Sequence, residues 1–134
     1  MKRRILQIGA VLTVAVVCAS FTLLQTKPWV VPDKAAKTIN AVKTSAASVS
    51  EGKALWAQHC SSCHGKTGLG DGSKAAQLKT TPPDFSKASF QTQSNGSLFY
   101  KVSEGRDDMP NFKKKLPEAD DIWNLVNFMR TLKK

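Results

Sequence analysis

The run Cys60-Ser61-Ser62-Cys63-His64 constrains this chain more than any other stretch of it. Two thiols three positions apart with a histidine directly after the second form the C-x-x-C-H pattern of a c-type haem attachment site. Each thiol can add across one vinyl group on a haem edge to form a thioether. The histidine is then carried beneath the macrocycle, where its imidazole can bind iron. A fold containing such a site must wrap a large apolar body.

Other uses of the same residues fit less well. A thioredoxin-like redox pair needs a strand before the motif and a helix after it. Here a helical stretch precedes the motif, and Gly65, Gly68, Gly70 and Gly72 follow it. A zinc site needs four ligands, and His59 and His64, the only histidines, are crowded against the two thiols. Three cysteines are too few for a disulfide framework, and the third, Cys18, lies inside an apolar run.

The formal net charge of +10 is concentrated near the N-terminus. From Glu51 onward, 13 Lys and Arg stand against 9 Asp and Glu, leaving +4. No basic stripe interleaved with aromatics appears, so nucleic acid is not an expected partner. A moderately basic face for docking an acidic protein is.

Three segments follow from the pattern. Residues 1–26 read as a signal peptide or transmembrane anchor: Lys2, Arg3 and Arg4 precede an apolar run over residues 5–24, long enough to cross a bilayer as a helix. The basic head stays cytoplasmic, which places the remainder outside the cytoplasm, in the periplasm. The reading taken is a tether to the inner membrane through residues 5–24; a soluble periplasmic protein after signal cleavage is the alternative. Residues 27–47 read as a flexible tether, rich in Ala, Lys, Thr and Ser, with Trp29 either at the membrane interface or exposed in a linker. Residues 48–134 read as the globular unit, and a chain that short needs a staple or cofactor to complete its core.

Helical periodicity organises that unit. Ser48-Val49-Ser50-Glu51 fits a capping box with Ser48 as N-cap, and the helix runs toward Cys60. Asn95-Gly96-Ser97 opens a second helix that Gly105 ends. A third spans about 118–132, with Ile122, Leu125, Val126, Phe128, Met129 and Leu132 on one face. Asp120 and Asp121 suit its N-terminal end and Arg130 its C-terminal end. No stretch alternates like a strand, so the class is all-α.

These residues resemble class I c-type cytochromes across the whole of 48–134. The family has a first helix with Gly-x-x-x-aromatic, then C-x-x-C-H, a late loop with a methionine and a last helix with Leu-x-x-aromatic. This chain has Gly52 and Trp56, Cys60 to His64, Met109-Pro110, and Leu125 and Phe128 in that order. The resemblance implies a small cytochrome c fold of three to four helices around one covalently bound haem c. It implies that Gly52 faces Leu125 and Phe128 where the first and last helices cross. Cys60 and Cys63 would carry the haem, and His64 and Met109 would ligate its iron. A thioether ligand favours ferrous iron and raises the reduction potential. Met129 is the rival, but its place on the apolar stripe suits core packing. The resemblance also implies a proline carbonyl, from Pro82 or Pro83, accepting a hydrogen bond from the haem histidine. The glycines from 65 to 72 read as chain passing closely by the haem.

The function implied is single-electron transfer between redox partner proteins of a membrane-associated respiratory chain. With both axial positions filled there is no place for a small-molecule substrate, and no enzyme is expected. Lys113, Lys114 and Lys115 are candidates for the docking face. The alternative is a haem enzyme or ligand sensor with open iron, for which Arg106 is the nearest candidate as a distal group.

Overall fold

Each of the three long helices starts where the backbone leaves the extended region beside a small or acidic residue. The computed structural model describes residues 28–134. The expected anchor or signal, Cys18 and Lys27 lie outside the described residues. In chain order the helices are α1 (Asp33–Ala36), α2 (Ala46–His59), α3 (Ser61–His64), a 3₁₀ turn (Ala75–Gln77), α4 (Ala88–Gln91), α5 (Asn95–Glu104) and α6 (Ala119–Thr131). Among the described residues no strand forms, and extended pairing is limited to an isolated bridge between Arg106 and Met109. The class is all-α, as the sequence implies. Three helices are long and the others are single turns. None of the described helices is long and apolar enough to cross a membrane.

The cap of α2 sits three residues earlier than its sequence suggests. Ser45 is the N-cap: its hydroxyl accepts from the Ser48 N–H at 3.1 Å, and the Ser48 hydroxyl accepts from the Ser45 N–H at 3.0 Å. Ser45 has the extended backbone a cap requires, φ −149° and ψ 167°, whereas Ser48 is already helical. Glu51 stays exposed.

Helices α2 and α6 cross at Gly52. A Cβ there would lie 2.0 Å from the Asn124 carbonyl oxygen and 2.9 Å from the Phe128 Cβ, so only glycine permits this approach. Trp56, one turn on, packs beside the crossing with its ring 5.6 Å from that of Phe128. Leu125 and Val126 are fully buried. Each such side chain contributes about 1.5–3 kcal/mol by leaving water. Helix α5 closes the core from the other side, where Phe99 stacks on Trp123 at 4.1 Å. Arg130 does more than face the end of α6. Its guanidinium donates to the Gln91 and Gln93 carbonyls at 2.9 and 2.6 Å and to Asn95 Oδ1 at 2.8 Å, pinning the α4–α5 connection.

The stretch expected to be a flexible tether is instead packed on the domain over residues 28–47. Val42 packs against the core, and Asn40 and Thr44 both donate to the Asn127 side-chain oxygen, at 2.8 and 3.0 Å. Asn127 is 1% exposed and donates in turn to the Val42 carbonyl and the Ser48 hydroxyl, each at 3.2 Å. A buried amide on the core face of α6 needs such partners, and this segment supplies them.

Candidate functional site

The C-x-x-C-H run is wound as a helical turn. Helix α2 stops at His59, Cys60 caps it, and α3 begins at Ser61. The Cys63 and His64 N–H groups both donate to the Cys60 carbonyl, at 3.1 and 2.9 Å. Spacings of three and four along a helical turn set Cys60, Cys63 and His64 on one side. Gly65, at φ 81°, ends the turn, and its carbonyl accepts the Trp56 indole N–H at 3.0 Å. The first helix is thereby tied to the end of the motif.

All three residues line a cavity of about 530 Å³, within the usual range for a ligand pocket. Apolar groups from every long helix complete it, among them Trp56, Leu98, Val102 and Leu125. Met109 lines the same cavity. It is presented by a tight reverse turn in which the Arg106 N–H donates to the Met109 carbonyl and the Met109 N–H to the Arg106 carbonyl, each at 2.9 Å. Asp107, at φ 52°, makes the turn, a conformation that Asp tolerates better than most residues. Asp108 ties the turn to the opposite loop by accepting the Lys79 N–H at 2.6 Å. The four site residues taken from the sequence thus meet around one cavity.

His64 is held between aromatic rings, 5.7 Å from Trp56 and 5.1 Å from Phe85, which itself stacks on Phe90 at 3.9 Å. Burial pushes the imidazole pKa down and favours the neutral form in which histidine ligates metals. Its Nδ1 is buried with no hydrogen-bond partner. Thr80 through Phe85 line the cavity as expected, but neither the Pro82 nor the Pro83 carbonyl hydrogen-bonds to that nitrogen. The Pro82 carbonyl turns toward Gly70, where a Cβ would lie 2.4 Å from it. None of the glycines from 65 to 72 lines the cavity; the loop packs on the chain itself, with Gly70 donating to the His64 carbonyl at 2.9 Å and Gly68 accepting from the Phe85 N–H at 2.7 Å.

The thiols are free. Burial, and then the neighbouring Cys63, push the Cys60 thiol up to about 12. A redox thiol of the thioredoxin kind needs the reverse, a lowered pKa. Among the described residues no group of three or more His, Cys, Asp or Glu is assembled to hold a metal ion. Two unpaired thiols and an imidazole with an orphaned nitrogen, on one wall of an apolar cavity of this size, fit a haem.

A family model described as "Cytochrome C oxidase, cbb3-type, subunit III" matches residues 47–129. The chain belongs to that family. It is a c-type cytochrome domain. Among solved structures it is similar to a chain of the Kuenenia stuttgartiensis reducing HAO-like protein complex Kustc0457/Kustc0458, with a TM-score of 0.65 and 23% identity over 86% of this chain. The match takes in 54% of that chain, so the present protein spans about half its length. At this identity the likeness shows the fold. No curated protein matches.

The cavity also takes in residues that the sequence had placed elsewhere or, like Lys101, had not marked. Trp29 and Lys101 join Arg106 in lining the cavity. His59 lines it too, with its ring 6.1 Å from Phe112, and so does Met129, which is 3% exposed in the core. A lone Trp between two prolines gives no periodic signal. The one available hint was Asn127, a polar residue on the apolar stripe of α6 that required partners from somewhere else in the chain.

Proposed function

We propose that this cytochrome domain is a single-electron carrier holding one haem c covalently through Cys60 and Cys63, with the iron ligated by His64 and Met109. The observation that carries this is the placement of Cys60, Cys63 and His64 on one helical turn lining the cavity that Met109 also lines. When bound, the haem supplies an iron that takes up and gives up one electron. The chain's own residues do the rest. Trp56 and Phe85 fix the plane in which the His64 ring can lie. The paired backbone bonds between Arg106 and Met109 hold the thioether in place, and a thioether ligand stabilises the reduced state. The aromatic and aliphatic wall excludes water, so a change of charge in the cavity is met by fixed protein dipoles.

The setting is the periplasmic face of a membrane respiratory chain, with residues 5–24 as the tether. Its sequence supports this through the basic head and apolar run at the N-terminus. Acidic redox proteins are the partners suited to the exposed lysine run Lys113 to Lys115.

The test is expression in a host competent for cytochrome maturation. Intact mass of the native protein reports one attached haem and whether residues 1–24 remain. The ferric protein should show the red-edge absorption band of a thioether–iron bond. Met109→Ala should abolish that band, and Met129→Leu should retain it. A colourless product refutes haem attachment, and a band that survives Met109→Ala refutes the ligand and returns the open-iron reading.

A further inference from the structure

The segment ahead of the family match carries a feature of its own. Trp29 is half-buried at the rim of the cavity, with its ring centroid 4.8 Å from the Arg106 guanidinium carbon and 5.5 Å from the Lys101 amine. Both cations line the cavity, and both are half-buried. Two like charges sharing the border of an apolar cavity repel one another and lose hydration. The negative face of the indole beside both offsets part of that cost and, together with the Asp107 carboxylate 3.2 Å from Arg106 and the Gln93 Oε1 that accepts from the Lys101 amine, sets where the charges sit.

Trp29 is delivered there by a docked chain. At one end α1 lies over the start of α5, so closely that a Cβ on Gly96 would fall 2.2 Å from the Ala35 carbonyl oxygen. The Ser94 hydroxyl donates to the Ala36 carbonyl at 2.6 Å. At the other end, Asn40 and Thr44 are held by buried Asn127 on α6. The family match begins at residue 47, so the docked segment 28–44 precedes it, while its partners lie within it.

We infer that residues 28–44 form a strap belonging to the cofactor cavity, and that Trp29 is a positioning residue which, by holding Lys101 and Arg106 at the rim, raises the midpoint potential of the bound haem. The inference rests on the carrier reading above. Fixed positive charge beside the cavity favours the reduced state, which carries one positive charge fewer. It also suits the two carboxylates that every haem brings with it. Without the indole, Arg106 keeps Asp107 and Lys101 keeps Gln93, but neither is held over the cavity rim, and their field at the haem weakens.

The experiment is a redox titration of the haem-loaded full chain, made on protein that shows the thioether–iron band. A missing band in the wild type is a failure of the carrier reading, not of this one. At the wild-type midpoint, Trp29→Ala should lower the reduced-to-oxidised ratio about threefold, roughly 28 mV at 59 mV per decade for one electron. Trp29→Phe should restore most of the ratio, because it keeps a π face. In a Lys101→Gln, Arg106→Gln background, Trp29→Ala should add nothing. Asn40→Ala, which loosens the strap and leaves Trp29 intact, should shift the midpoint in the same direction and serves if Trp29→Ala does not load haem. An unchanged midpoint in both single variants overturns the inference. So does a Trp29→Phe as low as Trp29→Ala, or a full shift that persists without the two cations.

Discussion

Replacing Gly52 with alanine adds one methyl group at the tightest point of the fold. On an exposed helix this change stabilises by about 1 kcal/mol, because glycine is the poorer helix former. Here the new Cβ would stand 2.0 Å from the Asn124 carbonyl oxygen and 2.6 Å from its carbon. Both are backbone atoms, and neither can rotate away as a flexible side chain would. Ordinary contact begins near 3.4 Å, so α2 and α6 must part by about 1.4 Å. Gaps of 0.5–1 Å already forfeit roughly a quarter to a half of the dispersion attraction across an interface. The Trp56–Phe128 contact at 5.6 Å lies next to the crossing and loses most. Overpacking of this kind costs about 1–3 kcal/mol, and a rigid backbone contact belongs at or above the upper end. After the helix-propensity gain, the net loss is about 2 kcal/mol. For a domain near 100 residues that lowers Tm by roughly 8–16 °C. The assay is thermal unfolding of the ferric, haem-loaded protein by circular dichroism, with Lys53→Ala, at an exposed position on the same helix, as the neutral control. A Gly52→Ala protein as stable as wild type would mean that α2 and α6 do not approach in this way, and the geometry of the site built on α2 would have to be redrawn.

Two further outcomes follow from surface groups. All three consecutive lysines are exposed, but Lys113 is bound to both Glu104 oxygens at 2.8 Å and Lys115 lies 5.6 Å over the Phe112 ring. Changing all three to Glu should slow electron transfer to an acidic partner at low salt, with the effect fading as salt rises, and Lys114→Gln should carry more of the loss than Lys113→Gln. Rates that do not move at low salt would take this stretch out of docking. Asp84 accepts the Ser86 hydroxyl at 2.7 Å and the Ser86 N–H at 2.9 Å, and these bonds hold its carboxyl below the ordinary range. A lowered folded-state pKa stabilises fully above the ordinary carboxylate value near 3.8 and loses that stabilisation as pH falls through the lowered one. Asp84→Asn should therefore have a lower Tm than wild type at neutral pH, with the two curves converging in acid; a gap that stays constant with pH would assign the loss to packing instead.

How far its sequence discloses this protein depends on the kind of force involved. Helix α6 was legible to within a residue at each end, because an apolar stripe with Asp120 and Asp121 at its start is a periodic signal. The crossing at Gly52 was legible through the resemblance to c-type cytochromes. The cap of α2 was misplaced because Ser45 and Ser48 are chemically equal candidates, and only the backbone, extended at the first and helical at the second, separates them. The segment from 28 to 47 was misread for a deeper reason. It docks through the Asn40 amide, the Thr44 hydroxyl and main-chain carbonyls, and these polar groups have the composition of a linker. Apolar periodicity is blind to such docking. Hydrogen-bond accounting is not, since Asn127 on the buried face of α6 has four hydrogen-bonding positions to satisfy, and no neighbour in its own helix fills them.

That docking bears on electron transfer as well as on shape. A carrier works fast when the groups around its iron stay where they are as the charge changes. On the proposed ligation, each segment that would bring a ligand is held by protein contacts that do not involve the cofactor. The His64 turn is fastened by Trp56 to Gly65 and by the Gly70 N–H. The Met109 turn is fastened by its own paired backbone bonds and by Asp108 to Lys79. The rim cations lie over Trp29, at the end of a segment that Asn127 holds, and are also held by Asp107 and Gln93. Preorganisation of this kind places the cost of ordering in folding, where it is met once, and leaves little to rearrange at each turnover. On the inference above, the strap belongs to the proposed redox site. Cutting the chain at the family boundary should leave a domain that still binds haem but holds its electron less firmly.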